Sequence, residues 1–473
     1  MKIFSLFNDD GTYVALSAPL KVYLDITTLC NLDCIFCYKD KTAKDPSLNF
    51  VISLIDKIAD SNIKDVVFVG GDPLATPNLE KYLIYAFERG LNVGLLTNGT
   101  LFKDSNISYI KKYVGSSIAI SLHGPNDDIC KQLSRRAHIY SDVVQGIQKL
   151  NKVNIAPGIL YTPTKINYTY LSETVTSLID QGLDISYLLV NRLIPAKNNV
   201  TSWENLKIDL NIQKYLLNEM LLLSEKYPQL KISTGDAVPF CLVEEKFWKF
   251  IVRCDYGTTL GWIDEKGFFG KCMTRTGNLG LDNLVDKSIT DVWLHSQAFI
   301  DHRQLKCICD RCFNCQLLKE CGGGCVCSSP DFKDFEDGYF KDCEPFSKLR
   351  SCRREVPIKN AIDFSLNSIP SFQIDFSIRD ESVAVKRSQN EKYLFIPESN
   401  NNVSDTITDE YIPMFWLDSI EKLITEYING NDSVKNIGMN IAKILNINIE
   451  VCLKKVESVM QEYSKYKFIC FIN

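Results

Sequence analysis

Three cysteines stand close together near the start of the chain, at Cys30, Cys34 and Cys37. Their Cys-x3-Cys-x2-Cys spacing places three thiolates on one short loop. A four-iron cluster is normally bound by four cysteine thiolates, so three would leave one iron open to another ligand. No further cysteine or histidine follows soon after Cys37 to complete a structural zinc site. The loop therefore favours a catalytic iron–sulfur cluster with an open coordination position.

A second set of cysteines lies in the middle of the chain, and its order is regular. Cys254 is followed after twelve residues by Gly267, and after four more by Cys272. A Cys-x2-Cys-x5-Cys-x3-Cys run and one further cysteine complete the set: Cys312, Cys315, Cys321, Cys325 and Cys343. Because Cys-x2-Cys spacing also occurs in zinc ribbons, zinc stays an alternative here.

The composition narrows the class of protein. The chain has 473 residues, with 18 Cys and only 4 His, and a formal net charge of -5. This charge opposes a broad nucleic-acid surface. Polar residues interrupt the apolar start after Phe7, and no run approaches the roughly 18 apolar residues of a membrane span. We expect a soluble, cytoplasmic protein with neither nucleic-acid nor membrane partners, whose reduced cysteines bind metal.

Short apolar runs alternate with helical patterns over residues 20–235. The predicted strands are Val22–Ile26, Val66–Val69, Val93–Thr97, Ile118–Ser121, Ile155–Tyr161 and Ile185–Val190. Six β–α repeats predict an α/β fold with a parallel sheet, curled into a partial (β/α)6 TIM-like barrel. Chemistry in such a fold lies at the carboxyl ends of the strands.

Polar and glycine-rich residues follow five of these strands. They are the cysteine loop, Gly70-Gly71-Asp72-Pro73, Thr97-Asn98-Gly99, Ser121-Leu122-His123-Gly124 and Asn191-Arg192. Ordinary turn chemistry would explain any one of them. Because all five fall at the same edge of the predicted sheet, together they predict one site.

The segment Cys30–Tyr38 resembles the cluster loop of radical S-adenosylmethionine enzymes, including an aromatic residue, Phe36, before the third cysteine. The resemblance implies that Cys30, Cys34 and Cys37 bind a [4Fe-4S] cluster whose open iron takes the methionine part of S-adenosylmethionine. An electron from a low-potential donor such as flavodoxin or ferredoxin would then cleave the cofactor and release a 5′-deoxyadenosyl radical.

The other turns extend the resemblance. Gly70, Gly71, Asp72 and Pro73 resemble the family's Gly-Gly-Glu-Pro turn, which holds the cofactor's amino group; Asp72 shortens the usual carboxylate by one methylene. Further cofactor contacts are implied for Tyr38 near the adenine, Thr97 and Asn98 at the third strand, Ser121 at the ribose and Arg192 at the last strand. No general base is identified.

The middle cysteines resemble the SPASM domain, the twin-cluster extension of radical enzymes that act on peptides and proteins, here over residues 236–352. The resemblance implies a first auxiliary [4Fe-4S] cluster on Cys254, Cys272, Cys325 and an upstream cysteine, Cys241. The second would be bound by Cys312, Cys315, Cys321 and Cys343. Together with the catalytic cluster, this makes three [4Fe-4S] clusters.

Seven cysteines fall outside these patterns. Cys130, Cys452 and Cys470 lie in apolar segments and suit core packing. Cys307, Cys309, Cys327 and Cys352 flank the cysteine run and are left without a role.

The pattern changes after a linker at residues 353–371. The predicted strands are Phe372–Ile378, Ser382–Lys386 and Tyr393–Pro397, and the predicted helices are Phe415–Ile428, Ser433–Leu445 and Ile449–Tyr463. Residues 372–473 therefore predict a small α+β, winged-helix-like domain. Residues 370–473 carry 11 basic against 15 acidic side chains, which opposes DNA binding.

This tail resembles the PqqD-like leader-recognition element of peptide-maturation systems, the fold of the small pyrroloquinoline-quinone chaperone. The resemblance implies that a precursor's leader adds a strand to the sheet edge near Tyr393–Ile396 and packs against Ile449–Val459. A dimerisation or purely structural domain is the alternative.

Together the resemblances imply a radical SAM maturase that forms an intramolecular thioether or carbon–carbon crosslink in a ribosomally synthesised, leader-bearing precursor peptide. One alternative is formylglycine formation, as in sulfatase maturases. Those enzymes lack the tail and carry Asp after the cysteine equivalent to Cys272, where this chain has Met273. Peptide epimerisation and a non-enzymatic, zinc-bound peptide-binding scaffold are the others.

Overall fold

The chain divides into two compact units, Pro19–Ser351 and a smaller unit that holds residues 352–473. In the larger unit, the computed structural model describes residues 19–40, 42–196, 199–270, 272, 282–304, 312, 315, 317–328 and 337–339. In the smaller unit it describes residues 369–372, 376–380, 393–397, 415–417, 423–424, 427–428, 433–445, 448–465 and 469–472, and residues 16–18 are described as well. Cys307, Cys309, Cys343, Cys352 and Ser382–Lys386 lie outside the described residues.

A ten-stranded sheet organises the larger unit. Its strands are β1 Lys21–Thr27, β2 Asp65–Gly70, β3 Asn92–Thr97, β4 Val114–Ser121, β5 Gly158–Tyr161, β6 Tyr187–Val190, β7 Lys231–Thr234, β8 Leu260–Ile263, β9 Phe268–Gly270 and β10 Asp282–Asn283. Strands β1 to β7 are parallel and lie side by side in chain order. On the other side of β1, β8 pairs in parallel and begins an antiparallel extension through β9 and β10.

Helices connect the parallel strands. They are α1 Leu48–Asp60, α2 Leu79–Glu88, α3 Asp104–Tyr113, α4 Asp127–Ser134, α5 Ile139–Lys152, α6 Leu171–Asp180, α7 Val200–Leu206 and α8 Leu210–Lys226, followed by α9 Ile289–His295, α10 Gln297–Arg303 and α11 Leu318–Cys321. In α1, the Ser47 hydroxyl accepts a hydrogen bond from Phe50 N and caps the first turn. Val51, Leu54, Ile55 and Ile58 then recur at helical spacing and are buried.

The core lies between the sheet and these helices. Val22, Leu24 and Ile26 on β1 are fully buried. Because side chains alternate along a strand, Tyr23 and Asp25 lie on its opposite face. Every second residue of β1 therefore builds the apolar core, and the residues between them are available to a polar interior.

The predicted α/β fold with an open parallel sheet of partial-barrel type is confirmed, with six predicted strands in their expected order. A seventh parallel strand, β7, was not predicted, because its four residues carry no clear apolar run. A tight turn at Asp264–Gly267 joins β8 and β9: Gly267 N donates to Asp264 O at 3.0 Å, and Gly267 has φ +81°.

The smaller unit contains β11 Ile369–Phe372, β12 Phe376–Asp380, β13 Tyr393–Pro397, β14 Phe415–Leu417, α12 Val434–Leu445, α13 Ile449–Lys465 and β15 Ile469–Ile472. Strands β12, β13 and β14 form one antiparallel sheet, and β11 pairs with β15. Ile437 and Ile441 of α12 are buried, as are Val456 and Met460 of α13.

Two predictions for this unit need correction. The strand predicted over Phe372–Ile378 is not one strand, because Phe372 ends β11 and Phe376 begins β12, which belong to different sheets. Phe415 begins a strand, where a helix was predicted over Phe415–Ile428; its aromatic run Phe415–Leu417 pairs with β13. The final strand β15 was not predicted. The next predicted helix is present as α12, and Ser433 caps it, since Asn436 N donates to the Ser433 hydroxyl at 3.2 Å. Among the described residues, no helix is long and apolar enough to cross a bilayer.

Candidate functional site

The Gly70–Pro73 turn packs against the backbone of residues 27–29, which leads into the cysteine loop. Gly71 N donates to Thr27 O at 2.8 Å, and Asp72 N donates to Leu29 O at 2.7 Å. A Cβ added to Gly70 would lie 2.2 Å from Thr27 O, and one added to Gly71 would lie 2.2 Å from Leu29 O. Glycine is required at both positions because backbone approaches backbone there. The close approach brings two predicted parts of the site together.

Asp72 is the centre of a buried hydrogen-bond network. Its carboxylate accepts from Thr97 Oγ1 at 2.8 and 3.0 Å, from Asn98 N at 2.7 Å and from Leu74 N at 2.8 Å. Burial raises the pKa of Asp72 to about 6, although these bonds oppose the rise. Residues predicted from two separate turns therefore meet at one carboxylate.

The third-strand turn also reaches the cysteine loop. Asn98 Nδ2 donates to Asn31 Oδ1 at 2.9 Å and lies 3.9 Å from Cys30 Sγ. Leu32 N donates to the same sulfur at 3.4 Å. Two N–H groups thus point at the Cys30 sulfur, an arrangement that stabilises a thiolate and tunes a cluster bound to it.

The remaining part of the cysteine loop contacts helix α4. Ile35 N donates to Leu133 O at 2.9 Å, and Cys37 N closes a turn onto Cys34 O at 3.2 Å. Cys30 is exposed, whereas Cys34 and Cys37 are partly buried. Burial raises the pKa of Cys30, and the charge of Asp72 raises it further, although the hydrogen bond from Leu32 N opposes the rise.

The donor set fits the cluster and cofactor that the sequence resemblance implies. Three thiols share one loop, two N–H groups face the first sulfur, and two glycines remove the side chains that would fill the space beside the loop. Within the described residues, no three Cys, His, Asp or Glu side chains are placed as ligands of a single metal ion. A four-iron cluster is larger than one ion and takes its thiolates from further apart.

Tyr38 and Ser121 were also predicted to contact the cofactor. Burial raises the pKa of Tyr38 well above its ordinary value, and the charges of Asp25, Cys37 and Cys272 raise it further. Ser121 ends β4 and is half-buried. The contacts of both residues with the cofactor stay predictions.

Sequence reasoning missed the role of His123, two residues after Ser121. The ring Nδ1 accepts a hydrogen bond from Thr162 N at 3.1 Å, and the ring lies edge-on to Phe36 at 5.2 Å between centroids. Burial lowers the pKa of His123 to about 4, so it is neutral near pH 7. The sequence feature that could have identified His123 was its position in a polar turn that follows a predicted strand.

A second missed group lies beneath the loop on β1 and β8. The carboxylate of Asp25 is fully buried, pairs with Lys39 and accepts from Trp262 Nε1 at 3.1 Å. Lys39 also lies 3.6 Å from Glu265. The sequence feature that pointed to Asp25 was an acidic residue in a largely apolar strand, but its partner Trp262 lies 237 positions away.

Arg192 makes its described contacts with the middle segment. The buried guanidinium pairs with Asp337 through two bonds of 2.6 and 3.0 Å and stacks 4.0 Å from the centre of the Tyr339 ring. The charge of Asp337 raises the pKa of Arg192, although burial opposes this. Its contact with the cofactor stays a prediction.

The middle cysteines fall into two groups. Cys254, Cys272 and Cys325, predicted to share one cluster, pack in a common core. Cys241, predicted to join them, has Cys321 and Cys315 as charged neighbours that raise its pKa beyond the effect of burial. Cys130 and Cys452 are buried, which confirms the core packing expected for both.

Comparison with known proteins identifies the class of protein. Residues 24–178 match the radical SAM superfamily. The chain is 31% identical over 215 residues to the uncharacterized protein MJ0907 of Methanocaldococcus jannaschii, which covers 43% of this chain and 71% of that protein. The chain therefore belongs to the radical SAM superfamily.

Two further proteins, one compared by sequence and one by structure, are similar to a larger part of the chain. Sporulation killing factor maturation protein SkfB of Bacillus subtilis is 23% identical over 317 residues, covering 66% of this chain and 71% of that protein. The crystal structure of Streptococcus suis SuiB bound to precursor peptide SuiA has a TM-score of 0.56 and 21% identity, and the match covers 69% of this chain and 76% of that one. At this identity the SuiB likeness establishes the shared fold.

Proposed function

We propose that the protein is a radical SAM maturase of a ribosomally synthesised peptide, forming an intramolecular thioether or carbon–carbon crosslink in a leader-bearing precursor. The observation that carries the radical part is the convergence of the cysteine loop with Asp72 and Asn98 at the carboxyl ends of the strands. The peptide part is supported by the likeness to SkfB and to SuiB, whose structure holds a precursor peptide.

Cys30, Cys34 and Cys37 would hold the catalytic cluster, and the turn at Gly70–Pro73 would hold the cofactor's amino group. When bound, the cluster and S-adenosylmethionine supply a radical that takes a hydrogen atom from a precursor residue. Hydrogen bonds from Thr97 and Asn98 fix the orientation of the Asp72 carboxylate within this turn. Preorganised groups of this kind place a cofactor without a reorganisation cost at the moment of reaction. Tyr38, Ser121 and Arg192 keep their proposed cofactor contacts.

Two auxiliary [4Fe-4S] clusters on the middle cysteines would accept the surplus electron or bind a substrate thiolate. The catalytic cluster would be reduced by a low-potential donor such as flavodoxin or ferredoxin. Such chemistry belongs in the cytoplasm, where thiols stay reduced.

The smaller unit would recognise the leader. The sheet edge predicted near Tyr393–Ile396 is wrong, because β13 pairs with β12 on one side and with β14 on the other; among the described strands of this sheet, an added strand would pair with β12 or β14. Helices α12 and α13 carry exposed apolar side chains at Met439, Ile444, Ile449 and Val451. Exposed apolar side chains on neighbouring helices suit an amphipathic partner.

The main test is co-expression of the full chain with each short open reading frame encoded beside its gene, followed by mass spectrometry. A peptide lighter by two hydrogens, with fragmentation blocked between two residues, is the expected result. A Cys34→Ala variant is the control and should leave the peptide unchanged. An unchanged mass that gains deuterium from heavy water would replace the crosslink with epimerisation.

Leader binding is tested with Val451→Asp, which places a charge on the proposed groove. Val451 is 63% exposed, so the variant should fold while its affinity for the precursor falls roughly tenfold. Val285→Asp is the matched control, because Val285 is 58% exposed on the larger unit. Equal affinities for both variants and the parent would remove the leader-binding role.

The metal content and activity of the purified chain distinguish the remaining alternatives. An anaerobically purified, brown chain with about twelve irons supports three four-iron clusters. A colourless chain that holds zinc would support a peptide-binding scaffold instead. Oxidation of a Cys or Ser in a sulfatase-derived peptide would support formylglycine formation.

A further inference from the structure

Cys327, which the cysteine pattern left without a role, lies among three predicted cluster ligands. Cys325 and Cys327 are buried, at 7% and 5% exposure, in one core with Ile194 and Ala237. Cys254 and Cys272 pack against the same core. Four cysteines from three separate segments of the chain therefore converge.

Four converging cysteines suit an iron–sulfur cluster, because a bound cationic metal centre stabilises the thiolates that bind it.

Cys241 stands in a different group. Its neighbour Phe240 donates its N–H to Cys321 Sγ at 3.4 Å. Cys315 N in turn closes a turn onto Cys312 O at 3.0 Å.

The segment that carries Cys325 and Cys327 is anchored to the barrel. Asp337 Oδ2 accepts from Cys325 N at 2.8 Å, and the same carboxylate pairs with Arg192 at the end of β6. A Cβ added to Gly324 would lie 2.6 Å from Asp337 Oδ2 and from Pro239 Cγ. This tight packing holds the two cysteines against Cys254 and Cys272.

We propose that Cys327 is the fourth ligand of the first auxiliary cluster, with Cys254, Cys272 and Cys325, and that Cys241 lies outside this cluster, beside Cys321 of the second. The assignment rests on the proposed function only in that these cysteines bind iron–sulfur clusters. It is independent of which substrate the enzyme modifies.

The test uses the full chain with Cys30, Cys34 and Cys37 replaced by Ala, so that iron and electron paramagnetic resonance report the auxiliary clusters alone. This parent should hold about eight irons. Cys254→Ser and Cys321→Ser, each added to the parent, identify the resonance signal of the first and second cluster. Cys452→Ser is the control for loss of a buried thiol, because Cys452 is fully buried on α13.

Cys327→Ser is expected to change or remove the signal that Cys254→Ser changes, with a loss of up to half of the iron. Cys241→Ser is expected to leave the Cys254→Ser signal unchanged. Cys327→Ala preserves a small apolar side chain, so a packing role would leave both signals intact, whereas a ligand role loses the first.

The assignment is overturned if both Cys327 variants keep both signals, or if Cys241→Ser changes the first. A parent that holds zinc and no iron overturns it as well. If wild-type protein leaves every co-expressed peptide unmodified while the signals change as expected, the proposed function fails and the ligand assignment stands.

Discussion

The Asp72 carboxylate and the Thr97 hydroxyl come from the ends of two neighbouring strands and hydrogen-bond at 2.8 and 3.0 Å. Both residues are buried, at 1% and 2% exposure. A carboxylate in such a place is stable only because neighbouring donors replace the lost water. The bond therefore fixes the orientation of the one acidic side chain in the glycine-rich turn.

Thr97→Val should destabilise the protein and weaken cofactor binding. The valine keeps the shape but removes the donor to Asp72, which costs about 1–3 kcal/mol when a buried charged partner loses its bond. S-adenosylmethionine affinity should fall roughly tenfold by equilibrium binding. Thr97→Ser is the matched control and should restore both properties. Equal urea midpoints for the valine and serine variants would contradict this role.

Gly71→Ala should displace the cysteine loop. The new Cβ would lie 2.2 Å from Leu29 O, and backbone cannot give way without moving Cys30. We expect loss of about four irons per chain, measured after anaerobic purification. Gly90→Ala is the control: Gly90 has φ +74° and open space around its Cβ, so the change should cost about 1 kcal/mol and leave the iron content unchanged. Full iron content in Gly71→Ala would refute the steric argument.

Acid should destabilise the fold partly through His123. Its pKa is lowered from 6.5 to about 4 by burial, so the unfolded chain takes up the proton first. The stabilisation is present above pH 6.5 and is lost as the pH falls towards 4. Between pH 7 and pH 5 this amounts to about 2 kcal/mol of unfolding free energy at most.

His123→Gln should reduce this pH dependence, because the glutamine carbonyl can still accept from Thr162 N and does not titrate. The measurement is the urea midpoint of parent and variant at both pH values. An unchanged difference between the two pH values would mean that His123 is not the responsible group.

Asp337→Asn should cause a large loss of stability. Arg192 would remain buried with its charge unpaired, at a cost of about 3–5 kcal/mol. Asp282→Asn is the control, since Asp282 pairs with Lys287 at an exposed site and should cost no more than about 1 kcal/mol. Replacing both Arg192 and Asp337 with apolar residues should cost less than Asp337→Asn alone. Thermal unfolding of the four proteins decides the point, and similar shifts for Asp337→Asn and Asp282→Asn would rule it out.

The signals that were readable in the sequence are local. The spacing of Cys30, Cys34 and Cys37 and the polar turns after the strands depend on residues within one loop, so they pointed to a catalytic cluster site before any fold was known. The order of β1 to β6 followed from alternating apolar runs in the same way. The prediction that the polar turns form one site was stronger than any single turn, because parallel strands bring their carboxyl ends to the same edge of the sheet.

Tertiary structure alone decided the pairings between distant segments. Asp25 meets Trp262 across 237 positions, and Arg192 meets Asp337 across 145. Likewise, spacing within the cysteine run could not tell that Cys327 packs in the core that Cys254 contacts, while Phe240, the neighbour of Cys241, donates its N–H to Cys321 Sγ. The sequence by itself determined which residues can bind iron and cofactor, because that depends on side-chain chemistry and loop spacing. Only the fold decided which of them share a site, because long-range packing depends on the whole core.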